Sequence, residues 1–340
     1  GQGFVGFPMS VVLSECLNNK KRKIFNVIGL EANNIKGREL VNKINNKILP
    51  IITNDKKIKK KFLKNINKNY KATTDINIIN NADVILVSVS FNFNKKNDLK
   101  NLLNLTTLIS KKIKKGALIL FETTLPPGTC QKLILPIIKK NIAKNKIKLN
   151  EIYFAYSYER VTPGNNYYNS IISFPRNYSG MNNVSKKICK NFLLKFIKKK
   201  SLLYEQDTLT DCEAAKILEN SFRSINISLI DEWVKFSNIS KINLKNIIES
   251  IKHRSTHSNI MSPGLGVGGY CLTKDPKFLP YSSKTLFKKK YKFPFINLAS
   301  KINNNMPNTS IEYIKNKFGK LKNKKILVIG FTYKEDVGDF

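Results

Sequence analysis

Apolar runs and longer amphipathic stretches alternate through residues 1 to about 200. Val5, Met9, Val12, Leu13 and Leu17 recur at helical spacing, and Lys23 to Leu30 then forms an apolar run ending at Glu31. Ile24–Leu30, Val84–Val89, Ala117–Phe121 and Ile152–Tyr156 read as strands with helical stretches between them, and Ser201–Glu205 as a last strand. That alternation predicts an α/β region with a parallel sheet covered by helices on both faces. At Thr208 the character changes. No glycine or proline occurs from there to Pro263, so this block reads as helical. Thr210 followed by Glu213 has capping-box form, and Ala214, Ala215, Ile217, Leu218, Phe222, Ile225 and Leu229 supply a broad apolar face. A helix so long and apolar predicts an interdomain spine or a dimer interface. Near the end, Lys325–Ile329 reads as a new buried strand running into a turn at Gly330.

The 340 residues suffice for two or three domains, and a 41% hydrophobic content supplies a real core. Cys16, Cys130, Cys189, Cys212 and Cys271 lack C-x-x-C spacing, which argues against a disulfide framework or a zinc site and fits a reducing cytoplasm. His253 and His257 stand i,i+4, but without a completed ligand set they read as polar loop residues; no metal is expected. No apolar run approaches the ~20 residues of a membrane span, so no membrane partner is expected. A formal charge of +37 invites a nucleic-acid reading. The lysines, however, are spread among asparagine and isoleucine, all residues with A/T-rich codons, and runs such as Lys56–Lys61 and Lys198–Lys200 read as solvated helix faces or loops. No nucleic-acid partner is expected.

Two segments carry candidate chemistry. The first is Gly1-Gln2-Gly3-Phe4-Val5-Gly6, a G-x-G-x-x-G that opens a helix, with Glu31 standing 31 − 6 = 25 residues past the last glycine. A dinucleotide site needs this order: glycines for close approach to a pyrophosphate at a helix N-terminus, then an acid for the ribose hydroxyls. The second is Gly264-Leu265-Gly266-Val267-Gly268-Gly269-Tyr270-Cys271-Leu272-Thr273-Lys274-Asp275-Pro276. Glycines let backbone approach a ligand closely, and a lysine near a thiol favours thiolate, the nucleophilic form. The same segment also reads as a glycine turn beside a buried structural cysteine.

With the pieces between them, these anchors resemble the UDP-glucose/GDP-mannose dehydrogenase family along nearly the whole chain. Ala82–Val87 resembles the family's fourth strand, Glu122–Thr129 its "ESTVPPGT" element, Tyr156–Asn165 its "YSPERVLPGN" element, and Glu213–Arg223 the start of its central helix. Val89-Ser90-Phe91-Asn92 departs from the family's Val-Pro-Thr-Pro turn, and Tyr270 stands where the N-acetylhexosamine branch carries histidine. Lys274 matches the UDP-glucose branch, whereas Glu159-Arg160 and Pro163-Gly164 match the N-acetylhexosamine branch, which is favoured.

The resemblance implies an NAD-binding Rossmann-like domain over residues 1–205, a central helical domain over 206–320 carrying the cysteine loop and a homodimer interface, and the start of a UDP-sugar-binding Rossmann-like domain over 321–340. On this reading the chain lacks the first strand of one domain and most of another. The implied reaction oxidises the C6 alcohol of a UDP-sugar to a carboxylate by two hydride transfers to NAD. Cys271 is the implied nucleophile that holds the aldehyde. Lys216 and Asn220, four apart on a helix, stabilise the oxyanion; Asp275 and Thr124 hold water; Glu159 is the base for thioester hydrolysis. Gly1, Gly3, Phe4, Val5, Gly6, Glu31 and Thr124 are the implied cofactor contacts. Glu159, Lys216, Asn220, Gly268, Lys274 and, toward a partner subunit, Arg254 are the implied substrate contacts. A single-step hydroxyacid-type dehydrogenase would need no Cys271, and a non-catalytic basic binding protein would need none of these residues.

Overall fold

Residues 1–92 and 97–330 are described by a computed structural model. Gly1–Ala215 form one unit and the described residues from Lys216 to Gly330 a second. The first unit opens with α1 (Gly6–Ser14), buried along its whole length. It continues through β1 (Val27–Leu30), α2 (Ile35–Asn45), α3 (Lys56–Asn65) and β2 (Tyr70–Thr73), with β1 and β2 paired in parallel. Next come β3 (Val84–Val87), α4 (Asp98–Lys112), β4 (Leu118–Phe121), α5 (Leu135–Lys144) and β5 (Tyr153–Tyr156). The unit closes with α6 (Tyr167–Ser173), β6 (Arg176–Gly180), α7 (Asn183–Leu193) and β7 (Leu203–Glu205). A second sheet runs β3-β4-β5-β6-β7, parallel except where β6 meets β5. Around α1, Phe62 meets Phe7 edge-on at 5.1 Å and Tyr70 at 6.2 Å. The lysines of α3 lie on the opposite side from its buried Ile58 and Phe62, as a solvated amphipathic face requires.

The five strands expected before residue 205 are all present, each shorter than the apolar run that marks it. β2 and β6 were not expected. β6 reads Arg-Asn-Tyr-Ser-Gly yet is buried throughout. Most of its polar groups are answered internally: Arg176 Nη1 donates to Glu122 Oε1 at 2.6 Å, Asn177 Nδ2 to the Tyr158 hydroxyl at 2.7 Å, and Ser179 Oγ to the Gln206 carbonyl at 3.0 Å, while Arg176 Nη2 is buried without a partner. Buried polar side chains persist when paired, and no hydropathy pattern reports that pairing.

The glycine-free block forms α8 (Leu209–Ser240), 32 residues or about 48 Å of helix, and α9 (Leu244–Lys252), parted where Lys241 adopts a left-handed φ of 58°. Within the second unit, Ile230, Leu244 and Ile248 form a small core with Trp233, Val234, Ile260 and Met261 around it. α10 (Phe278–Tyr281) and α11 (Pro294–Phe318) follow, and Asn303 of α11 donates to both the carbonyl and the hydroxyl of Ser224 on α8 at 3.0 Å. The strand expected at Lys325–Ile329 is not formed. These residues are irregular and exposed, Ile329 by 89%. A strand needs a neighbour for its ladder, and none of the described strands pairs with it; residues 331–334 of that motif lie outside the described residues.

The Thr210–Glu213 capping box is also corrected. The reciprocal pair is Thr208 and Asp211: the Thr208 N–H donates to Asp211 Oδ2 at 3.0 Å and the Asp211 N–H to Thr208 Oγ1 at 3.1 Å. Glu213 serves another element. Fully buried, its Oε2 accepts the Gly128 N–H at 2.6 Å and its Oε1 the Cys130 N–H at 2.8 Å, which caps the helical run from Cys130 into α5.

Burial pushes the Glu213 carboxyl up to about 7, against the pull of the Cys130, Gly128 and Thr129 bonds. Between its ordinary value of 4.5 and 7 the folded chain therefore holds more protons than the unfolded one. Stability then falls as pH rises across that window. Urea denaturation at the two ends of the window should show the wild type losing on the order of 3 kcal/mol relative to Glu213→Gln. Parallel pH profiles for the two proteins would mean that this carboxyl titrates normally.

Candidate active site

The two sets of expected residues lie in the two units. In the first, the glycine segment turns directly into α1. A Cβ at Gly1 would stand 2.9 Å from the Ser88 carbonyl oxygen, and one at Gly6 would collide with the Gly1 carbonyl, so both glycines are fixed by backbone packing. Gly3 differs. Nothing lies within 4 Å of where its Cβ would be. Val5 occupies the N-cap of α1, where no side chain caps the helix and no acid lies in the first turn. An uncapped helix start beside an open glycine fits a pyrophosphate. Phe4 is tied down through its carbonyl, which accepts the Tyr167 hydroxyl.

Glu31 sits just past β1. Its Oε1 accepts the Gln2 N–H and its Oε2 the Ala32 N–H at 3.3 Å. Gly1, Gln2, Gly6, Glu31, Ser88 and Val89 all line a cleft of about 1490 Å³. The Gln2 side chain was not singled out by sequence. It accepts the Tyr70 hydroxyl at 2.6 Å and packs so closely on Gly29 that a Cβ there would stand 2.9 Å from its Cγ. A dinucleotide thus has the start of α1 at Gly6 and the Glu31 carboxylate on one cleft, while the open Gly3 is not among the residues lining it.

Thr124 is half-buried just after β4. Its neighbour Thr123 stitches the loop: the hydroxyl accepts the Val89 N–H at 3.0 Å and donates to the Val89 carbonyl at 2.9 Å. Beneath it lies the Glu122–Arg176 ion pair, both side chains almost wholly buried. Burial pushes the Glu122 carboxyl up, and the Arg176 guanidinium opposes that push. Glu159 is half-buried and accepts the Val161 N–H. Arg160 donates to the Pro175 carbonyl at 2.6 Å and to the Tyr158 hydroxyl at 3.0 Å, fixing the Tyr158-Glu159-Arg160 turn. Sequence signals for two of the unexpected groups exist: Glu122 ends the apolar run Leu118–Phe121, and Glu213 interrupts Cys212, Ala214 and Ala215.

In the second unit, four expected residues meet. Asp275 is fully buried; Asn220 Nδ2 of α8 donates to its Oδ2 at 2.7 Å, and Lys274 Nζ pairs with its Oδ1. The Lys274 ammonium also lies 4.6 Å from the ring centres of both Tyr270 and Phe278. Cys271 holds the same turn from its backbone, its carbonyl accepting the Lys274 N–H at 3.2 Å and the Asp275 N–H at 2.9 Å. Lys216 is buried one helical turn before Asn220. Gly268 is exposed on the glycine loop, where Gly269 takes a φ of 81° that side-chain-bearing residues rarely adopt.

Cys271 is exposed, and the other four cysteines are buried and free. Burial pushes the Cys16 thiol up to about 11 and holds those of Cys130, Cys189 and Cys212 well above their ordinary range. Of the five, the glycine-loop thiol alone is open to a substrate. Arg254 lies exposed beyond α9 and makes none of the hydrogen bonds to Asp275. His253 and His257 flank it, both exposed; among the described residues no three His, Cys, Asp or Glu side chains gather as a metal site would need.

Comparison with known proteins identifies the family. Residues 1–191 match the NAD binding domain of the UDP-glucose/GDP-mannose dehydrogenase family, and residues 210–305 match its central domain. A UDP-N-acetyl-D-mannosamine dehydrogenase of Methanococcus aeolicus is 36% identical over 72% of this chain and 52% of its own length. One from Methanocaldococcus jannaschii is 30% identical over the whole chain and 72% of its own length. The chain therefore aligns with between about half and three-quarters of these relatives. The solved UDP-D-ManNAc dehydrogenase of Pyrococcus horikoshii superposes with a TM-score of 0.79 at 24% identity, over 93% of this chain and 71% of that one. With both of its domains matched and its fold shared, the chain belongs to the UDP-glucose/GDP-mannose dehydrogenase family.

Proposed function

We propose that this protein is an NAD-dependent UDP-sugar 6-dehydrogenase that converts a primary alcohol to a carboxylate, with a UDP-N-acetylhexosamine as substrate. The observation that carries the reading is the exposed Cys271 thiol on the turn whose backbone also holds the buried Asp275. Two NAD molecules bound in turn would each accept one hydride; Gly3 and the start of α1 would hold the pyrophosphate, and Glu31 would accept from the ribose hydroxyls. The Cys271 thiolate adds to the aldehyde carbon, forming the C–S bond of a thiohemiacetal, and so retains the aldehyde between steps. Lys216 and Asn220 stabilise the oxygen that becomes negative, and Asp275 with Thr124 orients water. Loss of a second hydride from the same carbon turns the thiohemiacetal into a thioester; Glu159 takes the proton from the water that attacks its carbonyl carbon, and the C–S bond breaks to return the thiol and release the acid.

Lys274 takes a different role from a sugar contact. With its ammonium paired to Asp275 and enclosed by two rings, it positions Asp275. That removes the main support for a UDP-glucose substrate, and the Glu159-Arg160 and Pro163-Gly164 matches favour the N-acetylated sugar. The relatives named for UDP-N-acetyl-D-mannosamine support the same branch. A homodimer through α8 is supported by its exposed apolar stripe, Leu218, Phe222, Leu229 and Phe236, spaced 4, 7 and 7 residues along one face. Five free cysteines support a reducing, cytoplasmic setting.

In the intact enzyme, Cys271→Ser should lower acid formation by a factor on the order of 10³ or more while nucleotide-sugar and NAD binding persist. Undiminished acid production by that variant would sink the covalent route. A carboxylate at Glu31 repels a 2′-phosphate, so kcat/KM should favour NAD over NADP; the reverse ratio would overturn the placement of Glu31. Across a panel of UDP-sugars, NADH formation should be most efficient with an N-acetylated hexosamine. A higher kcat/KM for UDP-glucose would return Lys274 to the sugar.

A further inference from the structure

Between Asp275 and Glu312 the chain contains no acidic residue. Within that interval the loop joining α10 to α11 reads Phe287-Lys288-Lys289-Lys290-Tyr291-Lys292-Phe293-Pro294-Phe295. The loop has a defined shape. Ser283 Oγ donates to the Lys289 carbonyl at 2.7 Å, the Lys289 N–H donates to the Ser283 carbonyl at 2.8 Å, and Lys288 takes a left-handed φ of 54°. Tyr291 and Phe293 stack edge-on at 4.8 Å. Lys288, Lys289, Lys290 and Lys292 are all exposed, and so are large apolar groups beside them: Tyr291 by 68%, Phe295 by 74% and Leu298 by 56%.

Two other lysine-rich runs keep most of their apolar residues buried, Leu63 of α3 excepted, whereas Lys320–Lys325 leads into the exposed Ile326–Ile329. Ile58 and Phe62 are buried within Lys56–Asn65, and Phe196 and Ile197 within Lys195–Lys200. Only the apolar residues distinguish the α10–α11 loop from those solvated faces. Lysines that project beside exposed phenylalanine, tyrosine and leucine match an anionic lipid interface, where the charges meet headgroups and the rings enter the acyl boundary. A second copy of the same patch is a poor partner, because four lysines would face four lysines. A nucleic acid is the less favoured partner: the loop carries no arginine, and Leu298 offers apolar area without a stacking face.

We propose that the α10–α11 loop and the first turns of α11 dock the protein peripherally on an anionic lipid surface. No helix among the described residues is long and apolar enough to cross a membrane, so the contact lies at the interface. Hydropathy windows search for spanning segments and do not register such a patch, which is why the sequence led to the expectation of no membrane partner.

Flotation of the intact protein with vesicles tests this directly. At about 0.15 M salt it should float with phosphatidylcholine–phosphatidylglycerol vesicles and not with phosphatidylcholine alone. Replacing Lys288, Lys289 and Lys290 together by glutamine should weaken partitioning about a hundredfold, at roughly fivefold per lysine. Tyr291→Ser with Phe295→Ser, which leaves the charge untouched, should weaken it about tenfold or more. Glutamine at Lys56, Lys59 and Lys60 removes equal charge from α3 and should leave partitioning nearly unchanged. The proposal falls if anionic vesicles are not bound, if the α3 substitutions cost as much as the loop substitutions, or if the aromatic pair has no effect. It falls equally if the loop substitutions abolish binding to polyuridylate more strongly than to vesicles, or if they abolish self-association instead.

Discussion

A carboxylate inside the first unit fixes where the longest helix begins. Glu213 projects from the second turn of α8 into a site with no solvent, where it meets the amide donors of Gly128 and Cys130. Removing a carboxylate from water costs several kcal/mol, and charge-assisted bonds to amides at a helix start are among the few interactions that offset it. Those amides belong to the turn after Thr124, where Gly128 adopts a left-handed φ of 93°. The carboxylate therefore holds a turn of the cofactor unit and the start of the helix that carries Lys216 and Asn220. Cys130, Cys212 and Tyr156 crowd around it, and the Tyr156 hydroxyl is itself buried without a hydrogen-bond partner. Such a pocket favours a neutral Glu213, and the amides resist that preference.

The same device recurs at each segment expected to face a reactant. Under Thr123 and Thr124 lies the Glu122–Arg176 pair, and next to Cys271 lies Asp275 between Lys274 and Asn220. Buried pairs of this kind add little net stability, because desolvation consumes most of the attraction. What they provide is direction. Removing one partner leaves a stranded charge, so the side chains have few alternative arrangements. The exposed Cys271 stands three and four residues before the buried Lys274 and Asp275, and the half-buried Thr124 two residues after Glu122. Reactive atoms gain exposure and their supports lose it, a division that positions chemistry without burying it.

Much of this was legible in the residues themselves. The apolar runs located five strands, the glycine-free block located α8 and α9, and the glycine segments located the cleft and the exposed thiol. Information failed where burial was polar. Arg176-Asn177-Tyr178-Ser179-Gly180 looks like a loop because hydropathy weighs each residue alone, whereas β6 survives on partners that lie up to 54 positions away, as in Arg176 to Glu122. Glu213 fits a capping box by spacing, yet its partners stand 85 and 83 positions earlier. Lys325–Ile329 fails in the opposite sense: its residues suit a strand, and among the described residues no strand pairs with it. Local pattern reports propensity, and pairing decides structure.

Charge obeys the same rule. A net charge of +37 says almost nothing about partners while lysines alternate with residues that the fold withdraws from water. In α3 the fold withdraws Ile58 and Phe62, most of the lysines are left on a hydrated face, and Lys61 and Lys64 pair with Glu15. In the α10–α11 loop the backbone is tied by Ser283 in a form that leaves Tyr291 and Phe295 outside, so lysine charge and apolar area face the same solvent. Water satisfies the first and not the second. A surface on which both are concentrated is unsatisfied by water alone, and that imbalance, rather than the total charge, is the physical ground for expecting a ligand there.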